Sequence, residues 1–516
     1  MRRYRSALIL LLILALMSGA YYFYTSVWPD MRGGGEDGGV SGGAGGGVSG
    51  GAVTATTAPA NISLITKKTD DLTALTIEYL NEEYIAVKET VTEKPEGGGT
   101  AAEKPEGGGT AAEIPEARWV LANHSDFRAD ASKLSGIASS FCSISSNKTV
   151  EENAADLAQY GFGGPASALV TGKFSDGSLA SLEFGDKNPT GDGYYVRIAG
   201  TSTVYLTSTY SVEKMLINKA GVADLKLFAL EEPDISRMEM DRGGKPVFSA
   251  RRDGEHTWEL DSPLSAPLDS SAQGLILDSV SDVSAVSCEE IEAADLAQYG
   301  LDAPKYTLRF ICADGGGPVE LMLGDEKSAH STRYAKLGGD NNVYVLSVDK
   351  FSYLDKPAKE FVDVFVYIVS INQVNHITAV FDGRTVEMDV FAEAGTNTGE
   401  DRFFVDGVEI TEYENDKGKQ LFRVLYQSMI GITRYDIEPD AAPADENAEI
   451  SLLYGLKDEP YTMLVEFVPK DGRLYYVFRN KSYAGIVVEK RLFDKPEEGL
   501  RAAYAAVLSA IGDSNS

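Results

Sequence analysis

Runs rich in β-branched and aromatic residues, broken by turn residues, recur in three stretches of this 516-residue chain. They cover residues 62–89, 226–251 and 364–391. Each stretch is followed by a segment whose apolar residues have helical spacing. The predicted helices are residues 131–144, 271–283 and 420–430. A last helix is predicted after Asp494 and Pro496, with its apolar residues on one face. The pattern predicts an α+β fold of three related units built on antiparallel β-meanders, with one or two helices each.

A short sequence, Ala-Ala-Asp-Leu-Ala-Gln-Tyr-Gly, ends at Gly161 and occurs again ending at Gly300. We call the separation between these two glycines in the sequence the repeat offset. The motif predicts one or two helical turns that end at a glycine in the left-handed conformation. The next residue, Phe162 or Leu301, is predicted to pack on the leucine of the turn. We call this feature the corner. Its residues in the two copies are Asp156, Leu157, Tyr160, Gly161 and Pro165, and Asp295, Leu296, Tyr299, Gly300 and Pro304.

The repeat offset continues without a gap from Trp119 onward, which indicates a duplication. It also aligns Gly185-Asp186 with Gly324-Asp325. A third, degenerate copy is predicted where Tyr454-Gly455 precedes Pro460, although the Gly-Asp pair is absent there. The predicted boundaries of the three units are residues 61–224, 225–360 and 361–516.

The N-terminal segment has the pattern of a membrane anchor. Three arginines precede an uninterrupted apolar run from Ala7 to Tyr24. Such a run forms about 27 Å of helix, enough to cross a bilayer. A cleaved signal peptide ending near Ala20 is the alternative, but the aromatic residues that continue to Trp28 are typical of a membrane interface. We therefore expect a transmembrane signal anchor at residues 7–28, with residues 1–6 in the cytoplasm and the remainder outside the cell.

Two low-complexity segments interrupt the folded pattern. The Gly-rich residues 29–60 cannot bury a core and are predicted to form a flexible tether. A decamer written twice (EKPEGGGTAA) occupies most of residues 93–116. It is predicted to be a disordered insertion in unit one, and a functional spacer is the alternative.

The formal net charge of −31 limits the partners that this chain can bind. Nucleic acids and anionic lipid surfaces require clustered Lys and Arg, so the charge argues against both. Hydrophobic residues at 43% and charged residues at 24% are ordinary for a globular protein, so most of the chain should fold. The cysteines are odd in number and lack metal-ligand spacing, which predicts buried free thiols at Cys142, Cys288 and Cys312.

The sequence contains no motif for nucleophilic catalysis, phosphate binding or dinucleotide binding. Asp186 and Asp325 are the best candidates for a site, since both copies keep a carboxylate after glycine. A cation or ligand contact is one interpretation, and an aspartate that hydrogen-bonds its own turn backbone is the favoured one. The histidines are too scattered for a paired metal site, at positions His124, His256, His330 and His376. We therefore expect a non-catalytic protein without a metal or a cofactor.

The corner motif at residues 156–165 and 295–304 resembles the Asp-Leu-Ala-x-Tyr-Gly-Leu-x-x-Pro motif of a bacterial family catalogued as a domain of unknown function, number four-three-four-zero, with Phe162 in place of the leucine in the first copy. The stretch Gly-Asp-Lys-x-Pro-Thr-Gly-x-Gly-Tyr-Tyr-Val at residues 185–196 adds to the resemblance. The second copy departs from it at residues 328–331. The resemblance covers the chain from about residue 60 to its end, and it brings no catalytic residues.

The resemblance implies a single N-terminal membrane span, an extracytoplasmic repeat region and genes beside an ABC transport system related to gliding-motility components. It favours an accessory or recruitment subunit of an ABC-type system, with permease and ATPase subunits as partners in the cell membrane. The alternative is a cell-envelope binding or structural module that contacts wall polymer or another surface protein.

Overall fold

The computed structural model describes residues 61–91, 116–122, 127–313, 315–328, 331–393, 400–444, 447–458 and 460–514. The predicted anchor, the tether and nearly all of the predicted insertion lie outside these residues. Within them the chain forms three large antiparallel sheets with few helices, which confirms the α+β class. None of the helices in these ranges is both long enough and apolar enough to span a bilayer.

The first sheet has eight strands in the order β4-β3-β2-β7-β8-β9-β10-β6, and β1 pairs separately with β5. Its strands are β1 (Ile62–Ser63), β2 (Leu72–Tyr79), β3 (Glu82–Val91), β4 (Glu116–Leu121), β5 (Ser145–Ser146), β6 (Lys148–Glu151), β7 (Ala168–Phe174), β8 (Leu179–Lys187), β9 (Gly193–Ile198) and β10 (Val204–Ser208). Its helices are α1 (Ala131–Ser143) and α2 (Thr209–Glu213). Asp130 directly precedes helix α1, and its side chain caps the first turn of the helix.

The second sheet has nine strands in the order β15-β14-β13-β12-β18-β19-β20-β21-β17, and β11 pairs with β16. Its strands are β11 (Lys226–Phe228), β12 (Ile235–Arg242), β13 (Lys245–Arg252), β14 (Trp258–Ser262), β15 (Ala266–Pro267), β16 (Val283–Ser284), β17 (Ser287–Glu290), β18 (Tyr306–Cys312), β19 (Val319–Ser328), β20 (Thr332–Leu337) and β21 (Val343–Ser347). Its helix is α3 (Ser270–Val280), which Asp269 caps in the same way.

The third sheet has nine strands in the order β25-β24-β23-β22-β27-β28-β29-β30-β26. Its strands are β22 (Val374–Phe381), β23 (Arg384–Phe391), β24 (Arg402–Val405), β25 (Val408–Glu409), β26 (Asp436–Ile437), β27 (Ile450–Leu456), β28 (Thr462–Pro469), β29 (Leu474–Arg479) and β30 (Ser482–Glu489). Its helices are α4 (Leu421–Ile430) and α5 (Leu500–Ser514). From β24 to β26 this sheet has the same strand order as the first sheet has from β4 to β6.

The corner predicted at Tyr454 and Gly455 is wrong. Both residues lie inside β27, where Tyr454 pairs with Ile377 and Gly455 pairs with His376 of β22. Tyr454 is 1% exposed because alternate residues of this strand face the core. A Tyr-Gly pair before a proline therefore marks a corner only when a helical turn precedes it, and here a strand precedes it.

The predicted ungapped repeat is also wrong by one position in one strand. Val170 of β7 faces Leu182, whereas Leu308 of β18 faces Leu321. Leu182 and Leu321 are separated by the repeat offset, whereas the separation between Val170 and Leu308 is one residue shorter. Side chains alternate between the two faces of a strand, so the shift is needed to keep Val170 and Leu308 in the core.

The same backbone hydrogen bond occurs where the first sheet joins the second and where the second joins the third. The Asp130 N–H donates to the Val222 carbonyl at 2.8 Å, and the Asp269 N–H donates to the Phe361 carbonyl at 2.9 Å. The repeat offset relates the two donors, and it relates the two acceptors as well. The joint between sheets is thus part of the repeat.

The buried side chains form two main clusters. One belongs to the first sheet and α1, and the other extends without interruption through the second and third sheets. Leu225 and Cys288 contact both clusters. The second and third units therefore share one core, which is more coupling than a chain of independent units would have.

Candidate functional site: the repeated corner

Each of the first two units has a corner made of one 3-10 turn and a left-handed glycine. The turns are Ala158–Tyr160 and Ala297–Tyr299. The glycines that follow have φ of 81° at Gly161 and 65° at Gly300. Positive φ at both positions confirms the prediction, since a side chain is disfavoured in this region.

Hydrogen bonds and an apolar contact close the second corner as a Schellman motif. The Gly300 N–H donates to the Ala297 carbonyl at 3.0 Å, and the Leu301 N–H donates to the Leu296 carbonyl at 3.0 Å. Leu301 is buried, and Leu296 packs on its small cluster. In the first corner, Leu157 likewise packs on a small cluster that contains Phe162.

The Gly-Asp pair of each unit lies directly against the corner. A methyl group on Gly161 would be 2.6 Å from the backbone nitrogen of Asp186, and one on Gly185 would overlap the Tyr160 carbonyl. The same approach occurs in the second unit among Tyr299, Gly300, Gly324 and Asp325. The two sequence signatures are thus two sides of one backbone contact, which explains why they occur together.

The tyrosine hydroxyl of each corner is hydrogen-bonded to a glutamate carboxylate, which lies on β6 in the first unit and on β17 in the second. The Tyr160 hydroxyl donates to Glu151 at 2.6 Å, and the Tyr299 hydroxyl donates to Glu290 at 2.6 Å. Hydrogen bonding to Glu151 raises the pKa of Tyr160. Burial, followed by the bond to Glu290, raises the pKa of Tyr299. These phenols stay protonated at neutral pH and act as hydrogen-bond donors.

The tyrosine rings pack on the sheet of their own unit, as predicted, but they are only half-buried. Tyr160 lies edge-on to Tyr195 with ring centroids 4.9 Å apart, and Tyr299 lies edge-on to Tyr334 at the same distance. Small clusters of side chains around each corner are separate from the main cores. Each corner therefore covers part of the sheet face that points away from the helix.

The carboxylates after glycine do not make the turn hydrogen bond that the sequence favoured. In the described part of the chain, neither the Asp186 nor the Asp325 side chain accepts a hydrogen bond, and both are exposed. The carboxylates that do bond to the corner backbone are Asp156 and Asp295, which accept from Ala158 and Ala297 at 3.0 Å. The described residues also contain no cluster of ligands that could hold a metal ion.

One histidine has closer carboxylate partners than the sequence indicated. His376 Nδ1 is 2.8 Å from Asp389, and its Nε2 is 2.7 Å from Glu387. Burial lowers the pKa of His376, but the two carboxylates outweigh this and raise it overall. The alternation of β23 places Glu387 and Asp389 on one face, so a hairpin assignment would have found this group. His124 and His330 lie outside the described residues.

Cys142 is buried, as predicted, but Cys288 and Cys312 are half-buried, and none of the three cysteines is in a disulfide. Burial raises the pKa of Cys142, and it raises the pKa of Cys288 to about 12. A thiol with so high a pKa is a poor nucleophile at neutral pH.

Two clefts flank helix α4 in the third unit. One has a volume of about 250 Å³ and is lined mainly by polar side chains, among them Lys417, Lys419 and Glu497. The other has a volume of about 450 Å³ and is more apolar, with Ile371, Tyr426 and Ile430 in its wall. Neither cleft lies near a corner.

The comparison with protein families supports the duplication. The family described as Domain of unknown function (DUF4340) matches residues 119–257 and 258–426. The two matches begin at Trp119 and Trp258, which are again separated by the repeat offset. Each match begins at β4 or β14, so the family unit starts inside one sheet and continues into the next. No curated protein and no solved structure matches this chain. The two matches together span more than half of the sequence, and the chain belongs to the DUF4340 family.

Proposed function

We propose that this chain is a membrane-tethered, extracytoplasmic, non-catalytic protein that serves as an accessory or recruitment subunit of an ABC-type transport system. The transport link is the one that the family resemblance implies. Permease and ATPase subunits in the same membrane are the proposed partners. A role as a cell-envelope module that holds wall polymer or another surface protein is the competing proposal.

The non-catalytic proposal rests on one observation, which is that the signature residues make contacts within the fold. The glycines of each corner make backbone contacts, and its tyrosine hydroxyl is bonded to Glu151 or Glu290. Residues that distinguish the family are thus engaged in holding the corner. The faces of the sheets and the two clefts beside α4 are left for function, and we propose that they serve binding rather than chemistry.

The proposed location rests on the N-terminal sequence. The arginines at positions 2, 3 and 5 favour a cytoplasmic N-terminus, and the apolar run from Ala7 to Tyr24 has the length of one span. The Gly-rich residues 29–60 would then separate the folded units from the membrane by an r.m.s. distance of roughly 30 Å.

Affinity purification of the full chain from its native membrane in mild detergent tests this proposal. We expect permease and ATPase subunits to co-purify with the tagged chain and to be absent from an untagged control. Retention of the chain by purified wall material, without those subunits, would favour the envelope module instead.

A further inference from the structure

The three sheets differ at one equivalent position on the face that points away from the core. In β18, Arg309 lies between the buried Leu308 and Phe310. In β27, Leu453 lies between the buried Leu452 and Tyr454. Since neighbours in a strand face opposite sides, Arg309 and Leu453 occupy the same place on the outer face.

In the second sheet, the charged residue at this position forms ion pairs within the sheet. Arg309 is 2.9 Å from Glu239 of β12 and 2.8 Å from Glu320 of β19. Arg237 adds a bond of 3.0 Å to Asp261 on the same face. This outer face therefore carries its own counter-charges.

The first sheet satisfies the position with hydroxyl groups. Thr171 of β7 lies next to the buried Val170, and its hydroxyl is 2.9 Å from that of Ser181 on β8. Thr76 of β2 pairs with Thr171 from the other side. The outer faces of the first two sheets are thus polar at their centre.

The third sheet replaces this polar group by apolar side chains. Leu453 pairs with Thr378 of β22 and with Leu464 of β28, where the second sheet has two glutamates. Leu453 is 37% exposed, and Val380 beside it is 38% exposed. We call Val380, Leu453 and Leu464 the outer apolar patch.

Carboxylates border this patch on the side of β23. Glu387 and Asp389 flank His376, and their side chains are 48% and 50% exposed. On the side of β28, Glu466 is 5% exposed and bonds to Lys481 through one oxygen, and its other oxygen has no partner among the described residues. Glu466 is paired with Lys481, but on β23 two carboxylates face the single histidine, so that side keeps a net negative charge that would repel an anionic partner and attract a cationic one.

We propose that the outer apolar patch docks a segment of a partner protein that presents apolar side chains together with lysine or arginine. The apolar side chains would cover Leu453 and its neighbours, and the basic groups would meet Glu387 and Asp389. This inference rests on the proposed role as a partner-binding subunit and adds the chemistry of the partner. The net charge of −31 for the chain acts in the same direction, because it speeds the approach of a basic segment.

Two synthetic amphipathic peptides test the proposal. They share length and leucine positions, and their polar positions are all lysine in one and all glutamate in the other. Binding to the full chain in detergent is measured by fluorescence anisotropy, with empty micelles as the blank. We expect the lysine peptide to bind and the glutamate peptide not to bind.

Leu453→Arg should weaken binding of the lysine peptide by roughly tenfold or more, since it removes the centre of the patch and adds a like charge. The matched control is Thr171→Arg, which puts the same side chain at the equivalent position of the first sheet and should leave binding unchanged. Glu387→Gln with Asp389→Asn should also weaken binding. Thermal melts check that each variant is folded. If Leu453→Arg does not fold, Leu453→Ser replaces it in the binding measurement.

Failure of the lysine peptide to bind, or equal loss with Leu453→Arg and Thr171→Arg, would overturn the proposal. Binding of the chain to vesicles of anionic phospholipid through Leu453 would also overturn it, because the patch would then be a lipid surface. The proposed transport role is tested separately from the patch. If Leu453→Arg loses the peptide yet still co-purifies with the permease and ATPase, the patch is not the partner contact and the transport role stands.

Discussion

Gly161 and Gly185 face backbone atoms of each other's segment, whereas most turn glycines among the described residues face open space. Gly177 makes a useful contrast because its φ is 80°, close to the 81° of Gly161, yet a methyl group there would meet no atom within 4 Å. The left-handed conformation and the close approach can therefore be separated by comparing two positions.

Gly161→Ala should destabilise the first unit by about 2–5 kcal/mol, because it adds backbone strain to a clash with Asp186. Gly177→Ala should cost only about 1–2 kcal/mol, since it carries the strain alone. Urea unfolding of the two variants measures the difference. Equal losses would mean that the Gly-Asp contact adds nothing.

His376 gives the third sheet a predicted dependence on pH. The groups that face it are Glu387 and Asp389 of β23 and the uncharged Thr378 and Gly455. The pKa of His376 is raised in the folded state from its usual value of 6.5. Its charged form therefore stabilises the fold fully below pH 6.5, and this contribution is lost as the pH rises through the folded pKa.

We expect His376→Gln to remove that loss of stability between slightly acidic and slightly basic pH. Melting temperatures of the wild type and the variant across this range would show it as two curves that converge at high pH. His256→Gln is the control, because His256 is exposed and belongs to the second unit. Parallel curves for the wild type and His376→Gln would contradict the assignment.

At the scale of elements, the joints between sheets are as regular as the sheets themselves. The link Ala358–Phe361 ends in a phenylalanine that is 0% exposed and whose ring lies 4.5 Å from that of Phe248. Its carbonyl accepts the hydrogen bond from Asp269. The link thus belongs to the core that the second and third units share.

Phe361→Ala should cost about 3–5 kcal/mol, as for other fully buried aromatic residues. Because the core is shared, we expect the amides of β12 and of β22 to lose protection together, and those of β2 to keep it. Hydrogen exchange followed by mass spectrometry measures all three strands at once. Val286→Ala, at a residue that is 59% exposed, should change none of them.

The whole molecule combines an acidic, folded region with an N-terminal sequence of a different character. The proposed partner contact on the third sheet is far along the chain from the anchor, and residues 29–60 are predicted to supply the reach between the membrane and the folded units. A retained anchor would keep the folded units within reach of a partner in the membrane.

We predict that the apolar segment at residues 7–28 is retained in the mature protein. The reason is that the aromatic residues from Tyr21 to Trp28 suit a membrane interface and would serve no purpose next to a cleavage site. Intact-mass analysis of the protein extracted from membranes measures the start. A mass that corresponds to a start near Tyr21 would show a cleaved signal peptide.

The sequence by itself determined the features that depend on local chemistry. The predicted helix 420–430 matches α4 to within one residue, and the corners at Gly161 and Gly300 adopt the conformation that a glycine after a helical turn favours. The Asp-Gly pairs at 382 and 406, a sequence that is typical of tight hairpin turns, form such turns with positive φ at both residues. Each of these depends on neighbours within a few residues, so the pattern along the chain contains the information.

Only the tertiary structure decided what depends on pairing across a sheet. Gly455 resembles a corner glycine in sequence, but β22 and β28 on either side of it hold it in a strand. The one-residue shift at Val170 follows from which side chain meets Leu182, and the exposure of Leu453 follows from its partners Thr378 and Leu464. These contacts join residues far apart in the chain, and the period of two does not say which face of a strand will be covered.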